Sequence, residues 1–449
     1  MIDPTIGWEV AFGLALFFIL LLTGLEILWC FAVSGLVMSL LLGWGISDMS
    51  RVIYYGIDKE TLMAVAYFLL AGGLMAEGGI ADKLIMWVYD FVGWMRGGLA
   101  AVASVTSLFF GALTGSCLTS VAALAPLMVG RMEKYGYDRA YSTGVICASG
   151  FMGHLIPPSI PLLLYGILAN QSIAALFVST IIPGIIVTSL YLIINFFFCR
   201  RWMKPTKETD ESSKRGGVWS KQTAKHTRDC IPALLFPVIV LGGIYGGVFT
   251  PTEAAAVACA YGLVIGLFVY RGLNLKSLCS VTYEAAATTG MILMLVGGGI
   301  FFSRVLLRAG VAELLIGFVL GISENPILIL VGINILLLVL GMFMDTTCIL
   351  IISVPLLLPL LSAIGMNLVH AGAVIVVNLG IGTITPPFAA TLFIGARVSN
   401  LPVYEIVKPV LLFLVLGALP VLILTTYVPQ LSLWLPTLLC GPEIVGLGP

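Results

Sequence analysis

The chain has 449 residues, of which 60% are hydrophobic and 10% are charged; its net charge is zero and its mean hydropathy is +1.11. A soluble domain carries about a quarter charged residues, so this composition excludes a soluble protein and predicts an integral membrane protein. The sequence lacks the period-two alternation of an outer-membrane barrel. It also lacks a basic cluster that would bind nucleic acid, and its nine cysteines do not have metal-ligand spacing.

Apolar stretches that are long enough to span a bilayer as helices occur throughout the chain. They are Trp8–Leu25, Leu176–Cys199, Ile231–Val248, Ala254–Tyr270 and Val410–Tyr427. No basic stretch precedes the first of them, so we expect no cleaved signal peptide. A polar, basic segment near the middle predicts a linker at residues 200–230, between one half at residues 1–199 and another at residues 231–449.

The two halves repeat the same motifs at a nearly constant offset. "GALTGS" begins at Gly111 and "GMFMDT" begins 230 residues later, at Gly341. "GHLIPPSI" begins at Gly153 and "GTITPPFA" begins 229 residues later, at Gly382. In each half we expect two spanning helices, a third helix, an amphipathic segment, a re-entrant hairpin, a helix broken at the double proline and a closing helix.

The helix-breaking residues set the predicted bounds of these elements. The re-entrant hairpins are predicted at about residues 97–130 and 326–363. The broken helices are predicted at about residues 140–169 and 372–399. The predicted fold class is therefore an all-α polytopic membrane protein built from two repeats.

The distribution of Lys and Arg, which collect in short cytoplasmic loops, predicts that the repeats are inverted. Basic residues flank the first hairpin at Arg96 and in Arg131–Arg139, whereas Ser323–Pro326 and Gly365–Gly372, which flank the second, contain none. The hairpins are therefore expected to enter from opposite sides. This threading puts the amino and carboxyl termini in the periplasm and the linker in the cytoplasm. Of the 22 Lys and Arg residues, it leaves four outside: Arg51, Lys59, Arg304 and Arg308.

Irregular backbone at membrane depth is tolerated only where protein or water satisfies it, and paired interrupted helices are typical of the binding sites of secondary transporters. The hydroxyls and free carbonyls at these interruptions fit sodium, and we expect no transition metal and no cofactor other than sodium ions. The predicted sodium and substrate residues of the first repeat are Thr114, Gly115, Ser116, Thr119, Gly153, Pro157, Pro158 and Ser159. Those of the second repeat are Gly341, Asp345, Thr346, Thr347, Asn378, Gly382, Thr383, Thr385, Pro386 and Pro387.

Five polar residues have alternative roles. Asp345 either caps a half-helix or helps bind the cation. Asn378 bonds either to the hairpin tip or to another helix, and for His154 a packing or hydrogen-bonding role is favoured over proton transfer. Glu253 fits a helix-start cap, while Arg304 either snorkels to the interface or contacts substrate or a partner.

Four segments together closely resemble the large membrane subunit of TRAP transporters, the tripartite ATP-independent periplasmic type. They are Gly136–Gly166, "TPTEAAA" (Thr250–Ala256), "GMFMD" (Gly341–Asp345) and "GIGTITPPF" (Gly380–Phe388). The resemblance implies a sodium-driven importer of organic anions in the bacterial inner membrane. It also implies two partners, a small four-helix membrane subunit and a periplasmic substrate-binding protein, and an elevator mechanism in which a transport domain moves against a static scaffold.

Three functional hypotheses follow. The leading one is a sodium-coupled, binding-protein-dependent importer of a carboxylate or dicarboxylate. The first alternative is a self-sufficient sodium/carboxylate symporter of related architecture. The remote alternative is an intramembrane hydrolase with Ser116 as nucleophile and His154 as base. The residues leave the identity of the substrate, the number of sodium ions and the oligomeric state open.

Overall fold

The computed structural model describes residues 7–204 and 221–446, and within these ranges the chain is almost entirely helical. Eight helical stretches of the described chain are long and apolar enough to cross a membrane. Within the described residues there is one isolated antiparallel β-bridge, between Tyr137 and Met203. The expectation of an all-α polytopic membrane protein is therefore confirmed.

The described part of the first half, which begins at residue 7, contains eleven helices. They are α1 (Gly7–Leu22), α2 (Ile27–Leu41), α3 (Ile46–Ile57), α4 (Glu60–Glu77), α5 (Ile80–Val92), α6 (Gly98–Thr114), α7 (Cys117–Lys134), α8 (Arg139–Gly150), α9 (Ile160–Ala169), α10 (Ile173–Ser179) and α11 (Ile181–Phe198). Short 3₁₀ turns at Phe151–His154 and Cys199–Trp202 follow α8 and α11.

The described second half contains twelve helices. They are α12 (Lys221–Tyr245), α13 (Pro251–Val264), α14 (Leu275–Arg308), α15 (Val311–Ile322), α16 (Pro326–Phe343), α17 (Thr346–Ala363), α18 (Leu368–Gly382), α19 (Ala390–Ser399), α20 (Val403–Phe413), α21 (Leu419–Tyr427), α22 (Gln430–Cys440) and α23 (Pro442–Val445). Single π-helical turns extend α13 at Ile265–Val269 and join α20 to α21 at Leu414–Ala418.

The third helix expected in each half differs between the halves. In the second half it is the continuous α14 of 34 residues, about 50 Å long, whereas the corresponding segment of the first half consists of α3 and α4. The chain leaves the helical conformation at Asp58 and Lys59. Lys59 Nζ donates to Ile167 O at 3.2 Å, near the end of α9. A cation at a helix carboxyl end is favourable, so this contact stabilises the interrupted segment against α9. The hydrophobic pattern did not predict the interruption.

The predicted linker overlaps the described helices at its end. Residues 205–220 lie outside the described chain, but α12 already begins at Lys221. Within this overlap, His226 Nδ1 lies 2.7 Å from Asp90 Oδ2 of α5. The first turns of α12 are thereby joined to the amphipathic helix that precedes the first hairpin.

Packing between the halves is reciprocal around the hairpins. Helix α9, the second part of the first broken helix, packs against α17 of the second hairpin. Conversely, α19 of the second broken helix packs against α7 of the first hairpin. Helices α2, α3 and α4 pack against α14, and α4 also packs along α13. The reciprocal contacts bring the two hairpin tips towards one another, while the inverted orientation of the halves in a bilayer stays a prediction.

Candidate ion and substrate site

The first hairpin turns sharply at three small residues. Helix α6 ends at Thr114, Gly115 adopts a left-handed conformation with φ +62°, and Ser116 is the N-cap of α7. Gly115 suits this turn because it has no Cβ to clash at positive φ. The Ser116 hydroxyl accepts from Thr119 N at 3.5 Å. The sequence thus ends one helix and starts the next without an extended loop.

Hydroxyl groups join the two arms of the first tip. Ser120 Oγ donates to Ser116 O at 2.8 Å, and it lies 3.3 Å from Thr114 Oγ1. Thr114 Oγ1 also donates to Phe110 O at 3.1 Å. Thr114 and Ser120 are buried. The first tip is therefore a closed network in which the hydroxyls of Thr114 and Ser120 already have partners.

The first helix break lies directly against this tip. A Cβ at Gly153, in the 3₁₀ turn after α8, would be 2.9 Å from Ser116 O and 3.2 Å from Ser120 Oγ. A Cβ at Gly111 would overlap with Gly153 Cα, and a Cβ at Gly115 would overlap with Pro158 O. These glycines are required by the close approach of two backbones, which brings the oxygens of the tip and of the break within one small volume.

The proline pair of the first repeat separates α8 from α9. The Pro157–Pro158 peptide bond is cis, and neither proline can donate a backbone hydrogen bond. Ser159 restarts the helix, since its hydroxyl donates to His154 O at 2.7 Å and accepts from Leu162 N at 3.5 Å. The helix is thus interrupted at the position where the double proline predicted a break.

The second hairpin turns with a different set of residues. Helix α16 ends at Phe343, Met344 is extended, and Asp345 is the N-cap of α17. Asp345 Oδ1 accepts from Thr347 N at 2.9 Å, so the capping alternative for this carboxylate is confirmed. Asp345 is exposed. Thr346 is buried, but its Oγ1 has no hydrogen-bond partner.

The second helix break repeats the geometry of the first. The Pro386–Pro387 bond is cis and separates α18 from α19. A Cβ at Gly382 would be 2.6 Å from Gly341 Cα, as Gly111 and Gly153 approach each other in the first repeat. The hydroxyls of Thr383 and Thr385 donate to carbonyls in the last turn of α18, at 2.6 and 2.7 Å. Both hydroxyls therefore keep only acceptor capacity.

A cavity of about 180 Å³ separates the two tips. The first hairpin contributes Gly115, Ser116, Cys117 and Leu118, and the second contributes Asp345, Thr346 and Thr347. The first broken helix adds His154, Ile160 and Pro161, and the remaining wall is Leu69 of α4 and Thr288, Met291, Ile292 and Leu295 of α14. None of these described residues is Lys or Arg, so an anion there must be held by amide, hydroxyl and imidazole groups.

A larger cavity of about 650 Å³ adjoins the small one and shares Leu69, Leu118 and Thr288 with it. Thr114 and Thr119 line this larger cavity, together with residues of α4, α5, α7 and α14. The outer part carries three acids, which are Glu77, Asp82 and Glu284. Because the ends of α4 and α7 lie on the predicted cytoplasmic side, this vestibule corresponds to a path from the tips towards that side.

A family model described as "Tripartite ATP-independent periplasmic transporter, DctM component" matches residues 14–431. The chain belongs to the DctM family. The resemblance inferred from the four sequence segments is therefore confirmed, and the match includes both hairpins and both broken helices.

Relatives of stated function support the same assignment. The C4-dicarboxylate TRAP transporter large permease of Vibrio cholerae is 36% identical over 405 residues, which cover 86% of this chain and 87% of that protein. The sialic acid TRAP transporter large permease of Vibrio cholerae is 35% identical over 397 residues, covering 88% of this chain and 91% of that protein. The isethionate TRAP transporter permease DctMQ of Oleidesulfovibrio alaskensis is 35% identical over 391 residues, which cover 87% of this chain and 60% of that protein.

Solved structures agree with the fold. The YdaH transporter of Alcanivorax borkumensis superposes with a TM-score of 0.62 at 15% identity, covering 85% of this chain and 88% of that one. MtrF of Neisseria gonorrhoeae gives a TM-score of 0.59 at 10% identity, covering 85% and 83%. At these identities the likeness shows the fold alone.

Membership in the DctM family decides between the broad functional classes. The chain is the large permease component of a binding-protein-dependent secondary transporter, and it is a multi-pass protein of the inner membrane. It is a transporter rather than an enzyme, so the hydrolase hypothesis is wrong. Ser116 and His154 both line the small cavity, but in the described chain no hydrogen bond joins them. Large permeases of this family work with a small permease and a substrate-binding protein.

Three of the residues with alternative roles lie outside the small cavity. Asn378 Nδ2 donates to Asn334 O and Oδ1 of α16 at 2.9 and 2.8 Å, so it makes the interhelical bond. Glu253 forms a capping box with Thr250, as predicted. Arg304 is exposed on α14 and lines neither the small cavity nor the vestibule. The structure brings both tips and the first break together, but it does not bring Arg304 to them.

Sequence reasoning missed some residues of the site. Asn334 joins the second hairpin to α18 and also donates to Thr426 Oγ1 at 3.1 Å. It is a lone amide in the apolar run of α16, and an isolated polar residue in a spanning helix is itself a signal. Gly72 of α4 allows the close approach to Thr114, since a Cβ there would lie 2.9 Å from Thr114 Cα. Because that contact joins helices that are distant in sequence, no local sequence pattern indicated it.

Proposed function

We propose that this permease imports an organic anion together with sodium ions. The observation that carries the proposal is the small cavity between the two tips, whose polar walls consist of hydroxyl, carbonyl and carboxylate oxygens and one imidazole. Sodium prefers such oxygen ligands, and interrupted helices provide them at membrane depth. The relatives named for C4-dicarboxylates, sialic acid and isethionate all handle organic anions, which supports the same substrate class here.

Each repeat supplies one proposed sodium site where its tip meets its broken helix. In the first repeat, the backbone carbonyls of Gly115, Ser116 and Gly153 are the proposed ligands, with Thr114, Thr119, Pro157, Pro158 and Ser159 shaping the site. In the second repeat, Asp345, Thr346 and Thr347 of the tip are the proposed ligands, with Gly341, Gly382, Thr383, Thr385, Pro386 and Pro387 shaping the site. Sodium binding orders the tips and so completes the anion site, which couples the two ligands through their differential affinity for the two arrangements.

The proposed movement is of the elevator type. The two hairpins and the two broken helices, with their reciprocal contacts, form the transport domain. Helices α1–α5 and α12–α15 form the scaffold, and the vestibule between α7 on one side and α4, α5 and α14 on the other represents a state open to the cytoplasm. The acids Glu77 and Glu284 disfavour rebinding of a released anion by repulsion, whereas the charge of Asp82 is offset by Arg131 at 3.7 Å. The small four-helix subunit and the periplasmic binding protein complete the working complex.

Reconstitution tests this function. The permease, its small subunit and its binding protein are placed in liposomes, and uptake of a labelled C4-dicarboxylate, sialic acid and isethionate is measured with an inward sodium, potassium or choline gradient. We expect uptake of one class of anion with sodium alone. Equal uptake with potassium or choline and no other driving gradient contradicts sodium coupling. Uptake by the permease without the binding protein favours the self-sufficient symporter instead.

A further inference from the structure

We propose that His154 donates a hydrogen bond from Nε2 to the anionic group of the transported molecule and thereby helps to select which anions this permease accepts. The inference rests on the proposed function, because it names a substrate-positioning residue of the same site. It follows from the place of one buried side chain whose hydrogen-bonding capacity no other described residue uses.

The backbone at His154 is held firmly in place. The residue ends the 3₁₀ turn between the two parts of the first broken helix, and its carbonyl accepts from Ser159 Oγ at 2.7 Å. The side chain is only 5% exposed, yet it lines the small cavity between the tips. A side chain with so little freedom loses little conformational entropy when it binds a ligand.

The two ring nitrogens of His154 have different surroundings. Nδ1 is buried and has no hydrogen-bond partner, and it faces α18, where a Cβ at Gly380 would be 3.6 Å from it. A neutral imidazole carries its proton on one nitrogen. A buried N–H without an acceptor is rarer than an acceptor without a donor, which places the proton on Nε2. The opposite ring edge, which carries Nε2, is then the donor available to the cavity.

The rest of the cavity wall explains why this donor matters. Among the described residues that line it, His154 is the one with a side-chain nitrogen, and Asp345 repels an anion. The other side-chain donors are the hydroxyls of Ser116, Thr288, Thr346 and Thr347 and the weaker thiol of Cys117. A hydrogen bond to a charged group is stronger than one between neutral groups, so the imidazole contributes a large share of the attraction.

The second repeat has no equivalent donor. The residue at the corresponding position, 229 positions later, is Thr383. Its hydroxyl is already committed to Gly380 O. The donor is therefore present on one side of the cavity only, and a bound anion is expected to direct its charged group towards the first break.

A matched set of substitutions tests this geometry. The amide nitrogen of glutamine can take the place of Nε2, whereas that of asparagine reaches only the place of Nδ1. We therefore compare His154→Gln, His154→Asn and His154→Leu in the complete reconstituted complex, using whichever of the C4-dicarboxylate, sialic acid and isethionate the wild type takes up fastest. The control is His370→Gln, because His370 is also buried but bonds to Ser432 Oγ at 2.6 Å, outside the cavity.

The expected result is a split between the variants. His154→Gln keeps a half-saturating anion concentration close to the wild type, while His154→Asn and His154→Leu raise it about tenfold or more. The rise in melting temperature that sodium produces without anion stays unchanged in all three, and His370→Gln alters stability but not the half-saturating concentration.

Other patterns overturn the inference. Equal impairment in His154→Gln and His154→Asn means that the ring acts by its shape, and wild-type behaviour of His154→Leu means that it does not touch the anion. Loss of the sodium-induced shift in His154→Leu assigns the residue to the ion site. If the transporter is not coupled to sodium, the wild type itself shows sodium-independent uptake. The half-saturating anion concentrations of the variants can still be compared in that case.

Discussion

The two hairpin tips occupy corresponding places in the two halves, but protein encloses them to very different extents. At the first tip, Thr114 and Gly115 are buried beneath α4 and the first break. At the second, Phe343 is 61% exposed and Asp345 is also exposed. The ring of Phe343 contacts that of Phe388, which is also exposed, with ring centroids 5.1 Å apart.

The more enclosed first tip also has more of its hydroxyl groups hydrogen-bonded than the second tip. The hydroxyls of Thr114 and Ser120 bond within the first tip, whereas the Thr346 hydroxyl of the second tip is buried without a partner. An unpartnered buried hydroxyl is unfavourable by about 1–3 kcal/mol. The hydroxyls of the first tip therefore already have partners in this conformation, while the second tip retains a hydroxyl that a ligand can satisfy.

The largest effect is expected from filling the close approaches between tip and break. We predict that Gly153→Ala and Gly382→Ala abolish transport and destabilise the protein by about 1–3 kcal/mol each. The added Cβ atoms would lie 2.9 Å from Ser116 O and 2.6 Å from Gly341 Cα, which are backbone atoms that cannot rotate away. Melting temperature of the purified complex and anion uptake measure the two effects.

Each of these variants has a control on the neighbouring hairpin. Gly130 in α7 and Gly332 in α16 have open space where a Cβ would be placed. Alanine at either position should leave uptake and melting temperature unchanged. If Gly382→Ala is tolerated while Gly153→Ala is not, the second site forms only after the tip moves, which would sharpen the difference between the tips.

A smaller effect is expected from the charge at the second tip. Asp345→Asn keeps an N-cap that can bond Thr347 N, since Asn and Asp cap equally well, but it removes the carboxylate. We predict an increase of about tenfold in the half-saturating sodium concentration, with little change in melting temperature. Asp345→Ala should show the same sodium effect and in addition lose about 1 kcal/mol of stability.

Glu253 provides the control for Asp345, because it also bonds at the start of a helix, in the capping box with Thr250. Glu253→Ala should lower stability by about 1 kcal/mol without altering the response to sodium. Equal sodium effects of Asp345→Ala and Glu253→Ala would show that Asp345 is only a cap.

The free hydroxyl of Thr346 gives a subtler test. Thr346→Val removes one oxygen at nearly constant volume, so we predict a rise of about three- to tenfold in the half-saturating sodium concentration. Stability should be unchanged or higher, because the variant no longer buries an unpartnered polar group. Thr425 in α21 is the control: its Oγ1 is also buried without a partner, but it lies outside the small cavity. A sodium response that is equal in Thr346→Val and Thr425→Val contradicts a role for the second tip.

Residues with strong local preferences could be predicted from the sequence. Gly115 marks the first turn because it tolerates positive φ, and the proline pairs mark both breaks because they remove backbone donors. Capping by Glu253 follows from the spacing of its own segment. Such features depend on neighbours within a few residues, and the structure has them at the predicted positions.

Features that depend on tertiary contacts could not be predicted in the same way. The bond between Asn378 and Asn334 joins residues 44 positions apart, and the sequence left two partners open for Asn378. The bond from Lys59, between α3 and α4, to Ile167 O of α9 joins residues 108 positions apart. Residue type alone can also mislead. Thr383 and Thr385 were predicted as ligands because they carry hydroxyls, but both hydroxyls already donate their protons to nearby backbone carbonyls.

The orientation of the two hairpins can be tested without altering transport, and it decides whether the tips can be compared as mirror-related sites. Lys134 at the end of α7 and Glu324 before α16 are both exposed. Cysteine at either position, in a chain whose native cysteines are replaced by serine or alanine, should leave uptake close to that of this background. A membrane-impermeant maleimide should label Glu324→Cys in intact spheroplasts and Lys134→Cys only after permeabilisation. If both cysteines are labelled from the same face, the hairpins enter from one side and both tips face the same compartment. The difference in their enclosure then reflects their position in the bilayer rather than the state of two opposed sites.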